Sequence, residues 1–245
     1  MSKQARSYFQ RPQPYRRRTQ RPLNSLLWLL PMLAVFHLGN LWWRTNLLAE
    51  KDIQRALSYV GVTASWLPAV ALVALLFIQH LVRRDPWEFQ AGTLLGMVAE
   101  SLVGIVPLIA LGVLTAKMWP HQAGAMPPSF GTAQQIVSGV GAAVYEEFVF
   151  RMLFIGFVLL VFTDLLDLDK HVVGTVAVLV SAAVFSLYHF PDLWQQSGVT
   201  FPWKDFVFRA LAGAYLGVVF LTRGLGVAAG AHAFYNIYVT LTARG

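Results

Sequence analysis

The chain contains no cysteine and unusually little charge. Without cysteine it has neither disulfides nor thiolate chemistry, and redox usage gives no indication of its compartment. Asp, Glu, Lys and Arg make up 13% of the 245 residues, whereas a soluble domain usually carries about 25%. Hydrophobic residues make up 56%, and the mean hydropathy is +0.55. The shortage of charge argues against an ordinary soluble domain and indicates a membrane protein.

Acidic residues are absent from the first 22 positions, although seven of the 19 Lys and Arg residues lie there. These seven are Lys3, Arg6, Arg11, Arg16, Arg17, Arg18 and Arg21. Basic tails bind nucleic acid in some proteins, but nothing else in this chain resembles a nucleic-acid-binding module. Ahead of an apolar segment, a basic tail sets topology through the positive-inside bias. We therefore predict that residues 1–22 form a basic cytoplasmic tail, and we expect no nucleic-acid partner.

Seven apolar segments are long enough, or nearly so, to cross a bilayer core that needs about 20 residues per helix. They run approximately over residues 23–43, 60–82, 92–118, 132–162, 172–190, 206–222 and 225–241. The sequence thus predicts an all-α, polytopic transmembrane helix bundle of about seven spans (six to eight) in a lipid bilayer. The mixed-charge segment 44–59 is expected to form an interfacial helix.

The connections between the spans predict an orientation. With the basic tail inside, residues 83–91, 163–171 and 223–224 also lie on the cytoplasmic side.

Two Gly-xxx-Gly spacings, one in the sixth span (Gly213 and Gly217) and one in the seventh (Gly226 and Gly230), predict close packing between helices.

The fourth apolar segment carries three charged side chains, Glu146, Glu147 and Arg151, and each costs about 2.5–3.5 kcal/mol at the bilayer centre. Glu147 and Arg151 are four residues apart, share a helix face and can form an ion pair. Glu146 points about 100° away around the helix from Glu147 and has no basic residue three or four positions further along. One carboxylate is therefore paired and the other is spare, which makes Glu146 a candidate general base.

Two later segments carry further polar pairs at helical spacing. His189 closes the fifth segment, and Phe185 lies four residues before it on the same face. In the seventh segment His232 and Asn236 are also four residues apart, so both side chains leave the helix in the same direction.

Structural interpretations of these residues remain open at this point. Glu147 and Arg151 alone also fit an ion pair that joins two helices. A single histidine near a helix end, such as His189, also fits a membrane-interface residue. Glu100, the only acid in the third segment, is interpreted as a packing residue whose charge is satisfied.

The three motifs together, Glu-Glu-xxx-Arg, Phe-xxx-His and His-xxx-Asn in that order on three spans, resemble the CPBP family. This family comprises CAAX prenyl endopeptidases and bacteriocin-processing or self-immunity proteins, and is also called the ABI family. The resemblance covers roughly residues 95–242. The basic tail and the first two spans lie outside it. We therefore expect three parts, namely the tail (1–22), N-terminal membrane spans over 23–91 and a CPBP-like catalytic membrane core over 92–245. The protein is expected to be a multi-pass protein of the bacterial inner membrane, with the N-terminus placed in the cytoplasm by the basic tail.

The resemblance also implies a role for each motif residue. Glu146 activates water and His189 assists it. His232 and Asn236 polarise the scissile carbonyl and stabilise its oxyanion, while Glu147 and Arg151 support Glu146. The substrate is then a membrane-associated protein or peptide. Glu147 stays open as a second candidate for the base.

Three alternatives accompany this interpretation. Two histidines and two carboxylates can ligate zinc, but a His-Glu-xx-His helix is missing and the arginine beside the acids disfavours a dication. We therefore expect no cofactor, with zinc as the less favoured alternative. A non-catalytic immunity or scaffold protein that keeps the family fold is the second alternative. A proton-coupled transporter is the third, although no broken-helix repeat supports it.

The predicted topology conflicts with the family on one point. It places Glu146 and His189 in the outer half of the membrane, whereas the prenyl endopeptidases resembled here work from the cytosolic side. Either the span count is wrong by one, or the substrate is cut nearer the outer face.

Overall fold

The computed structural model describes residues 14–119, except 44, 46, 60, 62, 63 and 65, together with residues 131–190 and 200–242. In this part of the chain all regular structure is helical, as predicted. The helices are α1 (Tyr15–Thr19), α2 (Pro22–Trp43), α3 (Leu48–Ser58), α4 (Leu67–Arg83), α5 (Ala91–Met118), α6 (Thr132–Leu165), α7 (Lys170–Tyr188), α8 (Trp203–Arg223) and α9 (Leu225–Thr242). Residues 1–13 of the predicted tail lie outside the described residues.

Every predicted span corresponds to a helix, which confirms the all-α membrane bundle. Five helices of the described chain, α2, α5, α6, α7 and α8, are long and apolar enough to cross a membrane. Helix α4 is apolar but shorter, since it begins at Leu67 rather than near residue 60. Pro68 lies in its first turn, where a missing N–H costs no helical hydrogen bond. The predicted interfacial helix is present as α3.

Helix α9 lies at the centre of the bundle. It packs against α2, α5, α6 and α8, and its first nine residues, 225–233, are all buried. Small residues make this possible: a Cβ on Gly226 would lie 2.6 Å from Met97 Cε. In the same way, a Cβ on Gly217 of α8 would lie 3.0 Å from Val178 Cγ1 of α7. The close packing predicted from the glycine spacings is therefore present in both helices.

Helix α2 packs against α6. Phe36 is buried against Gly141, and His37 Nε2 lies 2.8 Å from the Tyr145 hydroxyl. One apolar core contains residues of α2 and α4 together with residues of α6 and α9. The predicted division between 23–91 and 92–245 stays a prediction, but the two segments share this core.

One end of the bundle collects arginines, and we call it the basic end. Gln20 Nε2 donates to the Thr222 carbonyl at 2.7 Å, and Arg21 pairs with Glu88 at 3.5 Å. Gly174, near the start of α7, approaches Leu221. The end of the basic tail, the α4–α5 connection, the start of α7 and the α8–α9 turn therefore share the basic end. This is the grouping predicted from the span count.

Glu100 belongs to this end rather than to the polar motifs. Its carboxylate accepts from Arg223 Nε at 3.0 Å, and the Arg223 guanidinium lies 5.2 Å from the centre of the Tyr15 ring. An ion pair thus satisfies Glu100, in agreement with its interpretation as a packing residue.

Candidate active site

The paired carboxylate of α6 is fully buried. Arg151 Nε lies 3.1 Å from Glu147 Oε2, and both side chains have 0% exposure. The same guanidinium donates to the Gly213 carbonyl of α8 at 3.2 Å and lies 4.5 Å from the centre of the Phe185 ring of α7. The helix changes to π geometry at Phe148, directly after the two glutamates. The ion pair predicted from the spacing is present, and Arg151 joins three helices.

The second oxygen of Glu147 contacts a different helix. Glu147 Oε1 lies 2.9 Å from His232 Nδ1 of α9. Because a carboxylate accepts, the histidine donates its Nδ1–H, and Nε2 is directed towards Glu146. Arg151, Glu147 and His232 therefore form a buried chain from α8 through α6 to α9. The family resemblance implies that Glu147 and Arg151 support Glu146. In the structure Glu147 contacts His232, whose Nε2 lies 3.8 Å from Glu146 Oε2.

Glu146 lies between two histidines. Its Oε1 is 3.6 Å from His189 Nε2, and its Oε2 is 3.8 Å from His232 Nε2. His189 Nδ1 donates to the Phe185 carbonyl at 2.8 Å, so this ring also presents Nε2 to the carboxylate. The Phe185 ring also packs edge to face on the His189 ring, with 4.8 Å between their centres, so both the backbone and the side chain of residue 185 contact the imidazole.

Asn236 holds α9 against α6. Its Nδ2 donates to the Gly139 carbonyl at 2.9 Å, and a Cβ on Gly139 would lie 3.0 Å from Asn236 Cβ. One amide hydrogen is therefore used to fix the two helices, and the other remains for a ligand. As predicted, Asn236 and His232 face the same space.

That space is a cavity of about 720 Å³ lined by Glu146, His189, His232 and Asn236. Glu147 and Arg151 lie behind its wall. The cavity reaches residues at the ends of α2 and α9, among them Trp43 and Thr240, and residues at the start of α6. These ends are opposite the basic end. The structure therefore brings the four predicted site residues to one cavity, which lies away from the arginine-rich end.

Sequence reasoning missed one charged residue of this cavity. Arg209 of α8 contributes to the wall, although it was not singled out. Arg209 stands inside the sixth apolar segment, where a charged side chain is costly to place in the bilayer. The reasoning that singled out Arg151 therefore applies to Arg209 as well. Tyr235 lines the cavity as well, but a tyrosine in an apolar helix gives no comparable signal.

Among the described residues, no three His, Asp or Glu side chains are arranged to hold a metal ion. Glu146 and the two histidines converge, but they do so around the carboxylate itself.

A comparison with family models gives a match that covers the candidate site. Residues 128–238 match the family described as type II CAAX prenyl endopeptidase, Rce1-like. This part of the chain is therefore similar to the CAAX protease family. The matched segment contains all six predicted site residues, and the match confirms the resemblance seen in the motifs. The match to a protease family, together with the five long apolar helices, indicates an integral membrane protein that is similar to peptidases. No curated protein and no solved structure matches the chain.

Proposed function

We propose that the protein is an intramembrane endopeptidase that hydrolyses a peptide bond of a membrane-associated protein or peptide. The observation that carries this proposal is the position of Glu146. Its carboxylate faces Nε2 of His189 and of His232 inside one cavity. Both rings are held through Nδ1, so the three groups keep a fixed arrangement around one point.

In the proposed mechanism Glu146 is the general base. The separations of 3.6 and 3.8 Å are longer than a direct hydrogen bond and suit a bridging water molecule. Glu146 removes a proton from this water as its oxygen attacks the scissile carbonyl carbon, and His189 Nε2 positions the water. When the tetrahedral intermediate collapses, the C–N bond breaks and the protonated Glu146 returns the proton to the leaving amine.

The oxyanion is assigned to α9. Asn236 has a second amide hydrogen for the developing negative charge. His232 Nδ1 donates to Glu147 Oε1, and this bond holds the ring with Nε2 facing the reacting group. Arg151 balances the charge of Glu147, because an unpaired buried carboxylate would be costly.

Substitution of the three central residues tests the proposal. We expect Glu146→Gln, His189→Ala and His232→Ala each to abolish cleavage of a membrane-anchored reporter while the protein stays folded and inserted. Glu88→Gln, which removes a half-exposed carboxylate at the basic end, should keep full activity. Full function of all three site variants would instead support the non-catalytic immunity or scaffold alternative.

Metal dependence is tested separately. We propose that hydrolysis needs no metal, since Glu146 and the histidines provide the base and the water position. Cleavage by the purified protein should then persist in excess chelator. Loss of activity in chelator and its recovery with zinc would support the metal alternative instead.

We also propose that the N-terminus is cytoplasmic and that the membrane is the bacterial inner membrane. The basic end holds Arg16, Arg17, Arg18, Arg21, Arg83, Arg84, Lys170 and Arg223. Lys and Arg are enriched on the cytoplasmic side of membrane proteins. The cavity, at the opposite end, then opens towards the outer face. Of the two explanations left open by the sequence, this arrangement favours cleavage near the outer face.

A further inference from the structure

A second cavity, of about 520 Å³, lies between α5 and α8. Helix α8 packs mainly against the part of α5 that follows Gly104, so the two helices are further apart nearer the basic end. The regular hydrogen bonding of α5 is interrupted at Gly104, close to Pro107, which has no N–H for the Val103 carbonyl. Val227 and Ala231 of α9 form the floor of this cavity. We call it the α5–α8 groove.

The groove is apolar along its length. Val103 of α5 and Val219 of α8 contribute to its two walls, and Val103 is 70% exposed. At the inner end the Tyr215 hydroxyl donates to the Gly104 carbonyl at 3.1 Å, which joins the two helices there. At the outer end lies Arg223, eight residues and roughly 12 Å further along α8. The groove therefore has the dimensions and the lining that suit part of an acyl chain.

The outer end of the groove is positively charged. Arg223 donates to Glu100 at 3.0 Å, so these two charges balance each other. Arg16 of α1 lies beside this pair, because its Nε is 3.4 Å from the Thr222 carbonyl. Arg16 and Arg17 are both exposed, and no carboxylate of the described residues forms an ion pair with either. These two arginines leave a net positive charge where the apolar groove ends.

We propose that the α5–α8 groove binds an anionic phospholipid, with one acyl chain between the helices and the phosphate at Arg16. An apolar groove between membrane helices that ends in unpaired cations matches both parts of such a lipid. A zwitterionic lipid fits the same groove, but the cation of its headgroup weakens the attraction to Arg16. The basic tail does not complement this end of the groove, since residues 1–13 contain no acid.

The proposed lipid site is separate from the catalytic cavity. Leu108 and Leu216 line that cavity and pack in one apolar cluster with Ala231, which lines the groove. The cluster therefore lies between the two spaces. Lipid binding does not depend on the proposed peptidase function, and its test involves no cleavage.

Native mass spectrometry of the full-length protein in a neutral detergent tests the proposal. Phosphatidylglycerol and phosphatidylcholine with the same acyl chains are offered in equal amounts. Because two cations face the headgroup, we expect the protein to retain one phosphatidylglycerol with a preference of roughly thirtyfold. Glycerol 3-phosphate, which is anionic but has no acyl chain, should not displace it at the same concentration. Equal retention of the two lipids, or displacement by glycerol 3-phosphate, would overturn the proposal.

Substitutions locate the bound lipid. Arg16→Gln should lower the preference about fivefold. Lys170→Gln is its matched control, because it removes an exposed charge at the basic end that is not part of the groove, and it should keep the preference. Val103→Trp fills the groove and should reduce the retention of both lipids. Leu102→Trp is the control for this change, since Leu102 is also exposed but does not line the groove.

Each control identifies a result that contradicts the site. An unchanged preference in Arg16→Gln, or an equal loss in Lys170→Gln, would show that the protein's overall charge attracts the lipid and that Arg16 does not bind it. Unchanged retention in Val103→Trp, or an equal loss in Leu102→Trp, would show that the lipid lies elsewhere. Should Val103→Trp melt below the parent temperature, the comparison of Arg16→Gln with Lys170→Gln decides, because both change exposed side chains.

Discussion

At the residue scale, two adjacent glutamates have different partners because one helical step turns the side chain by about 100°. Glu147 faces Arg151 and His232 inside the protein, whereas Glu146 faces the cavity. The inner carboxylate therefore contributes to stability and orientation, and the outer carboxylate is available for chemistry.

Breaking the buried ion pair should be far more costly than breaking an exposed one. Arg151→Met leaves the Glu147 charge buried and should destabilise the protein by about 3–5 kcal/mol. Arg55→Met is the control, since Arg55 pairs with Asp52 at 3.0 Å but is 70% exposed, and its loss should stay within about 1 kcal/mol. Chemical unfolding in detergent micelles measures both. Similar small losses would show that the buried pair does not stabilise the bundle.

Glu50 predicts a pH dependence of stability. This side chain of the interfacial helix α3 is buried, and desolvation raises its pKa from 4.5 to about 7. Between these pH values the folded protein binds more protons than the unfolded chain, so stability falls as pH rises towards 7. Glu50→Gln should reduce the fall in melting temperature between pH 5 and pH 8, whereas Glu88→Gln should not. An unchanged pH profile in Glu50→Gln would show that another group is responsible.

At the scale of elements, the site depends on how closely α9 approaches α6. The two helices meet where Gly139 has no side chain, and this allows Asn236 to donate to the backbone of α6. A second polar contact between the helices is the Glu147–His232 hydrogen bond. Together they fix α9 in both position and rotation, so a small displacement changes the geometry of His232 and Asn236 together.

A methyl group at Gly139 should therefore reduce activity more than stability. Its Cβ would lie 3.0 Å from Asn236 Cβ, and a shift of about 1 Å at a catalytic group can cost on the order of a hundredfold in rate. Gly156→Ala is the matched control on the same helix, because nothing lies within 4 Å of a Cβ there. It should keep activity and gain up to about 1 kcal/mol from helix propensity. Cleavage rates and melting temperatures of both variants measure this, and wild-type activity in Gly139→Ala would contradict it.

At the scale of the whole molecule, the two ends of the bundle have different properties. One end gathers arginines and ties the N-terminal residues to the α8–α9 turn through Gln20, and the other end carries the cavity. Their separation follows from the number of spans between them. The cavity that Glu146 lines therefore lies at the end of the bundle opposite the basic end.

Cysteine labelling tests this orientation directly, because the natural chain contains no cysteine. Thr242→Cys places a single exposed thiol at the cavity end, and Asp164→Cys places one near the basic end. We expect a membrane-impermeant maleimide to label residue 242 in intact cells and residue 164 only after permeabilisation. The reverse pattern would put the N-terminus outside and the cavity mouth in the cytoplasm.

The sequence alone determined the features that arise from the periodicity of a single helix. The apolar runs predicted the helices, and a spacing of four residues predicted both the Glu147–Arg151 pair and the shared direction of His232 and Asn236. Each of these relations lies within one helix, where 3.6 residues per turn set the geometry. The two Gly-xxx-Gly spacings predicted close packing between helices, but they did not predict which helices would meet.

Contacts between helices were decided only by the tertiary structure. These are the bond from Glu147 to His232, the position of Glu146 between two histidines, and the place of Arg209 in the cavity wall. Each depends on the rotation and the axial position of one helix relative to another. Those quantities arise from the packing of small side chains at many positions, and no repeat along a single segment encodes them.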